Sequence, residues 1–166
     1  MPVRPVVRLP ERVLKLRADA VGPDEDGALI ADLIDTMRAS PACVGLAAPQ
    51  IGVSKRVVVV DVTSHPKATT CHGLIALVDP EIVETTGKGI GREGCMSVPD
   101  LTANVARATE VVVRGRAPEV GDVIIATEGF EARALQHEID HLNGLLILDR
   151  VASLATDVFR RKTYVE

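Results

Sequence analysis

The 166-residue sequence carries 19 basic and 23 acidic side chains, a net charge of −4, with 46% apolar and 25% charged residues. That composition suits one globular domain spanning 1–166 with a sizeable core and argues against a disordered chain. The acidic balance leaves no electrostatic footprint for nucleic acid, and aromatic residues at 2% supply no stacking platform for single strands, so no direct nucleic-acid reading is expected. The three cysteines are irregularly spaced, and Met1–Val13 carries prolines and charges where a secretory signal would have an apolar run. A reducing cytoplasm is the expected setting. No apolar run approaches the length of a membrane span, so no membrane partner is expected.

Residues 1–22 read as extended and Pro-punctuated, with Val6-Val7 and Val13-Leu14 as anchors to a core. Asp24-Glu25-Asp26 gives an acidic first turn to a helix whose Leu29, Ile30, Leu33, Ile34 and Met37 fall at helical spacing, and Ser40-Pro41 ends it. Cys43–Gly52 is an uncharged stretch of small residues without strand or helix period. It reads either as a tight turn or as a loop passing close to a ligand, and Gln50 is its only strong hydrogen-bonding side chain.

Arg56–Val62 predicts a buried strand. His65–Gly73 reads as a polar loop, with His65, Cys71 and His72 as solvated residues rather than a second metal site. Leu74–Val78 and Glu81–Thr85 read as strands broken by Asp79-Pro80, and Gly87, Gly89 and Gly91 as a turn. Further strands are predicted over Thr102–Arg107, Glu110–Arg114 and Val123–Thr127, the last two joined by a Gly115–Gly121 turn. A helix follows from Gly129 to a stop at Asn143-Gly144. Leu145–Leu148 reads as a strand or buried extension, and Val151, Leu154, Ala155, Val158 and Phe159 as a short amphipathic C-terminal helix. The order predicts an α+β fold: mainly antiparallel sheets around a central helix, with an N-terminal helix and a short C-terminal one.

The chemistry concentrates in Gln136-His137-Glu138-Ile139-Asp140-His141. On a helix, His137 and His141 share one face with Cβ atoms about 5–6 Å apart, a spacing at which two imidazoles bind one metal ion. Glu138 then lies beside the ion, placed to take a proton from water that the ion activates. Only four histidines occur in the chain. Two of them bracketing a glutamate at this spacing outweigh the alternative of ordinary hydrogen-bonded histidines on an amphipathic helix.

A catalytic site of this type needs a third protein ligand. A histidine three residues after Gly144 would serve, but that position is Ile147. Asp149, Asp157 and Glu166 lack a convincing setting for a downstream carboxylate ligand. An upstream cysteine remains: Cys95, in a Gly-flanked, Pro-terminated segment, with Cys43 and Cys71 as competitors.

Three separated segments together resemble the peptide deformylase family. Cys43–Gln50 is similar to the pattern GxGLAAPQ, Glu93–Ser97 to EGCLS, and Gln136–Gly144 to QHExDHLxG. The likeness runs from about Pro5 to Arg150. It implies that Cys95, His137 and His141 hold one divalent metal ion, with Glu138 as general acid/base. Gln50 would donate its amide, and Met96 its backbone N–H, to the developing oxyanion, and Gly45 would lie beside the substrate backbone. Val44, Phe130 and Ala134 are expected walls of an apolar pocket for a methionine side chain, while Arg133 is expected in a surface ion pair.

The resemblance further implies hydrolysis of the formyl group from N-formyl-methionyl nascent peptides, releasing formate in the cytoplasm, with the ribosome exit region among the expected partners. Ferrous iron (Fe2+) is the implied ion in the cell, with Zn2+, Ni2+ or Co2+ as ions purified protein could carry. The competing readings are another metal-dependent amidase or peptidase, a zinc-stabilised binding module, and a deformylase-like protein that binds without turnover. Four positions depart from the family pattern: Cys43 stands for Gly, Met96 for Leu, Asp79 for Asn before Pro80, and Ala106 for Pro before Arg107.

Overall fold

The computed structural model describes residues 3–23, 27–40 and 42–161. Asp24-Glu25-Asp26 and Pro41, expected to open and close the first helix, lie outside the described residues. In chain order the helices are α1 (Gly27–Arg38), α2 (Gly129–Leu142) and the one-turn α3 (Ile147–Arg150). The strands are β1 (Gly45–Ala47), β2 (Val57–Val60), β3 (Ile75–Thr86), β4 (Gly89–Cys95), β5 (Val98–Arg107), β6 (Glu110–Ala117), β7 (Gly121–Glu128) and β8 (Val158–Arg160). Short 3-10 turns cover Arg12–Lys15 and Ala48–Ile51.

Two sheets result, a five-stranded one in the order β1-β2-β3-β6-β7 and a three-stranded one in the order β4-β5-β8. Every ladder between these strands is antiparallel. The α+β expectation is met. No helix among the described residues is long and apolar enough to cross a membrane.

The continuous Val57–Val60 run reflects a strand covered on both faces, all four residues being buried. Side chains alternate across a strand. Val58 and Val60 therefore pack with Leu77, Val113 and the α2 residues Leu135, Ile139 and Leu142. Val57 and Val59 pack on the other face with Ile30, Leu33 and Met37 of α1, which recur at helical spacing. The five-stranded sheet is thus sandwiched between α1 and α2.

Three local expectations are corrected. Asp79-Pro80 does not break a strand: β3 runs through it, with register shifts between Val78 and Glu81 and between Ile82 and Glu84. A bulge tolerates the missing proline N–H. Asp79 is used there, because its carboxylate accepts the N–H groups of Val21 at 2.8 Å and Gly22 at 3.0 Å and ties down the N-terminal segment. Second, Gly89 and Gly91 lie within β4 and not in a turn. Third, 151–159 does not form a helix. The helical turn comes earlier, at α3, and Val158, Phe159 and Arg160 pair with Ala103, Thr102 and Leu101 of β5. Pairing satisfies backbone groups of β5 that the helix would have left open, and Leu154 stays 69% exposed.

Candidate metal centre

Helix α2 is the central element. Its inner side carries His137 and His141 on one face, ring centroids 5.1 Å apart. Strand β4 ends at Cys95, whose Sγ lies 3.4 Å from His141 Nε2. One ligand atom from each of Cys95, His137 and His141 falls within 4.8 Å of the others. Among the described residues no other group of His, Cys, Asp and Glu meets this condition.

A tetrahedral ion with Zn–S near 2.3 Å and Zn–N near 2.0–2.1 Å would hold sulfur and nitrogen about 3.5 Å apart, so the donor set fits a divalent ion. Burial, and His137 beside it, hold His141 well below the ordinary histidine range, which leaves its ring neutral, the form a metal binds. Burial opposes a charge on His137, but Glu138, Cys95 and Glu93 outweigh it and hold that ring well above the ordinary range. An incoming cation would replace that proton.

Glu93 orients the first histidine. Its Oε1 lies 2.8 Å from His137 Nδ1, which turns Nε2 toward the sulfur. Glu93 also accepts two 2.9 Å hydrogen bonds from Arg107 and one of 2.6 Å from Arg133. Arg107 reaches on to Asp140 at 2.5 Å, and Asp140 accepts two bonds from Arg150 at 2.8 and 2.9 Å. The side chains of Glu93, Arg107 and Asp140 are only 6%, 4% and 9% exposed. Burial alone would neutralise Glu93, yet His137 and Arg107 hold its carboxyl well below the usual range.

Sequence reasoning missed this network. A signal existed: Glu93 and Cys95 are two apart on one strand and so share a face. Arg133, expected in a surface ion pair, is instead largely buried, donating to Glu93, to Val105 O at 2.9 Å and to Gly89 O at 2.9 Å. Gly91 makes room for it, since a Cβ there would stand 2.9 Å from Arg133 Cζ.

Glu138 is 4% exposed, and its Oε1 is buried without a hydrogen-bond partner among the described residues. Burial pushes its carboxyl up to about 7, against the pull of His137. Gln50 also approaches the sulfur. Its Oε1 accepts the Ala47 N–H at 3.0 Å, and its Nε2 donates to Ser97 Oγ at 3.2 Å and Cys95 Sγ at 3.6 Å.

The small-residue stretch that showed no period in sequence forms β1 and the turn carrying Gln50. Cys43 fits without strain, because the positive φ falls on Ala42 at 58°. Its thiol donates to Gly45 O at 3.2 Å, and burial, aided by Glu138, pushes it up to about 12.

Of the residues expected to hold the metal, do the chemistry or bind substrate, all but His141 line one cleft of about 520 Å³, and His141 is buried at 1% exposure. Val44, Phe130 and Ala134 form apolar wall, and Met96 follows Cys95 in the bend between β4 and β5. His65, expected as a solvated loop residue, is stacked on Phe130 with ring centroids 4.1 Å apart and also lines the cleft. The backbone N–H of His72 donates to the buried Glu131 at 2.7 Å.

Residues 3–157 match the sequence model of the polypeptide deformylase family. The peptide deformylase of Halothermothrix orenii is 44% identical over 160 residues, covering 95% of this chain and 99% of its own length. That of Desulforudis audaxviator is 45% identical over 166 residues, covering 98% and 99%. The crystal structure of a peptide deformylase from Legionella pneumophila is similar with a TM-score of 0.81 at 41% identity, over 92% of this chain and 88% of that one. A Met-Ala-Ser-bound class I type b peptide deformylase from Acinetobacter baumannii is similar with a TM-score of 0.82 at 37% identity, over 90% of this chain and 99% of that one. With motifs, fold and near full-length relatives in agreement, the chain belongs to the peptide deformylase family, metal-dependent hydrolases that remove the formyl group from formyl-methionyl peptides.

Proposed function

We propose that Cys95, His137 and His141 hold the ion, and that Glu138, Gln50 and Met96 perform deformylation beside it. The observation that carries this reading is the buried Oε1 of Glu138, without a hydrogen-bond partner among the described residues, in the cleft that Cys95 and His137 also line. A buried carboxylate without a partner is costly to keep, and a proton-transfer role accounts for it. The ion, when bound, supplies a Lewis acid and brings the pKa of water toward neutrality.

Glu138 then accepts the proton as water oxygen attacks the formyl carbon. Charge develops on the formyl oxygen, and the Gln50 amide and the Met96 N–H donate to it. One such donor lowers the barrier by about 3–4 kcal/mol. Ser97 keeps the Gln50 amide turned toward the sulfur. Glu138 returns its proton to the departing nitrogen as the C–N bond breaks, leaving formate and a free amino terminus. Gly45 lies beside the substrate backbone, while Val44, Phe130 and Ala134 wall the methionine side chain.

A thiolate with two imidazoles suits iron or zinc, and we assign ferrous iron as the working ion. The protein works in the cytoplasm on nascent chains at the ribosome exit region. That the Acinetobacter baumannii relative is seen with Met-Ala-Ser bound is in keeping with a peptide of this kind in the cleft.

The test is formate release from formyl-Met-Ala-Ser by protein reconstituted anaerobically with ferrous iron. Glu138→Ala should keep its metal and lose about 10²–10⁴-fold in kcat, while Cys95→Ser should lose metal. An active Glu138→Ala protein refutes the proton-transfer role, and a fully metallated, fully active Cys95→Ser protein refutes the ligand role.

A further inference from the structure

The cleft has two electrostatic zones. Inside, its carboxylates are engaged or sealed: Glu93 by Arg107, Arg133 and His137, and Glu138 by burial. At the mouth stand Lys67, Arg92 and Arg161, all lining the same cleft. None of the three has a carboxylate partner recorded among the described residues. Arg92 is nevertheless held in place by neutral groups. Its Nε donates to Asn104 Oδ1 at 3.1 Å, and its guanidinium lies 3.7 Å over the Phe159 ring.

Arg161 crosses directly over Gly94, where a Cβ would stand 2.1 Å from its Nη2. That puts a cation one residue from Cys95. The Arg161 backbone N–H donates to Asp100 O at 2.8 Å, and the Asp100 side chain does not line the cleft. An acidic protein thus presents uncompensated positive charge where a substrate must pass.

We propose that Arg92 and Arg161, with Lys67, select formylated peptides that carry a carboxylate downstream of the methionine. The inference rests on the deformylase reading of the site. An extended peptide turns successive side chains to opposite sides. With the methionine directed into the cleft, the second residue after it turns its side chain back to the same side, and this side chain or the chain's terminal carboxylate meets the rim. A guanidinium already held in place, as that of Arg92 is, receives a carboxylate with little further ordering. Both carboxylate sources share one chemistry and are separable by capping the peptide.

The experiment measures kcat/KM with the iron-loaded protein for amide-capped formyl-Met-Ala-Glu against amide-capped formyl-Met-Ala-Gln. A second arm compares formyl-Met-Ala-Ala with its amide. At low salt we expect the charged member of at least one pair to be favoured roughly threefold to tenfold. The preference should fall toward one at high salt, and likewise in Arg161→Gln and in the Arg92→Gln, Arg161→Gln double variant. Each ratio is internal to one protein, so loss of active fraction cancels. A gain in the second arm alone assigns the terminal carboxylate as the source and still supports the proposal. Ratios near one in both arms overturn it while turnover of the neutral peptide leaves the deformylase reading standing. A preference that survives in the double variant overturns the assignment to these arginines. Absence of formate from every formyl-Met peptide sinks the deformylase reading and the proposal with it.

Discussion

Gly45 and Glu138 compete for one volume: a Cβ on Gly45 would stand 2.7 Å from Glu138 Oε2 and 3.0 Å from its Cγ and Cδ. The glycine of the small-residue stretch is therefore required by the carboxylate and not by the substrate alone. Gly45→Ala should displace Glu138 while leaving Cys95, His137 and His141 in place. We expect retained metal and kcat reduced by at least about 10²-fold, since misplacement by roughly 1 Å costs that much. Metal analysis alongside formate release checks it, and loss of metal in this variant would show that the glycine supports the ligands instead.

Glu93 should tune the metal through His137. Glu93→Gln keeps the shape of the side chain but removes the charge that steadies the Nδ1 proton and the two arginines. Partners of this type typically contribute about 10–100-fold in metal affinity. Competition with a chelator should show a drop of that size. Unchanged affinity would mean that packing alone orients the ring.

Arg107 is the hinge of the buried charges. Arg107→Ala leaves Glu93 and Asp140 buried and facing one fewer cation, and should destabilise the fold by about 3–5 kcal/mol in denaturant unfolding. Acid should act through the same residues. Glu93 has a folded value below its unfolded one near 4.3. Its contribution is complete above that unfolded value and is lost as pH falls through the folded one. Stability of the wild-type protein should fall as the pH is lowered below about 4.3, and that portion of the fall should shrink in Glu93→Gln.

Cys43 should be chemically quiet despite lining the cleft. With its thiol pushed up to about 12, hardly any thiolate exists near pH 8. Brief alkylation of the metal-loaded protein followed by peptide mapping should label the exposed Cys71 and spare Cys43. Rapid labelling of Cys43 would show a local environment that favours its anion.

The part of the site legible in sequence was the part with a local period. Residues four apart on one helix reveal themselves in isolation, and so does a valine run buried on both faces. Cys95 needed the resemblance, because its Gly-flanked, Pro-terminated setting favours it over Cys43 and Cys71 without excluding them. The buried network was illegible for a related reason: Glu93, Arg107 and Asp140 come from two strands and a helix, and their meeting is a tertiary fact. Strand β4 was hidden by its glycines, which look like turn residues until Arg133 and Arg161 are seen lying over Gly91 and Gly94. The C-terminal apolar residues misled because a spacing compatible with a helix was overridden by the open edge of β5.

The amide of Gln136 acts as a surrogate peptide group. Its Oε1 accepts the Ala108 N–H at 3.0 Å, and its Nε2 returns a bond of 2.9 Å to Ala108 O. From the neighbouring residue, Arg107 grips Asp140 one turn further along α2. Bonds at two levels from consecutive residues oppose both sliding and rolling of the helix that carries the two histidines. The first turn of the same helix is held by a different kind of contact, the Phe130 ring stacking on His65, whose Nδ1 in turn accepts the Lys67 N–H at 3.1 Å.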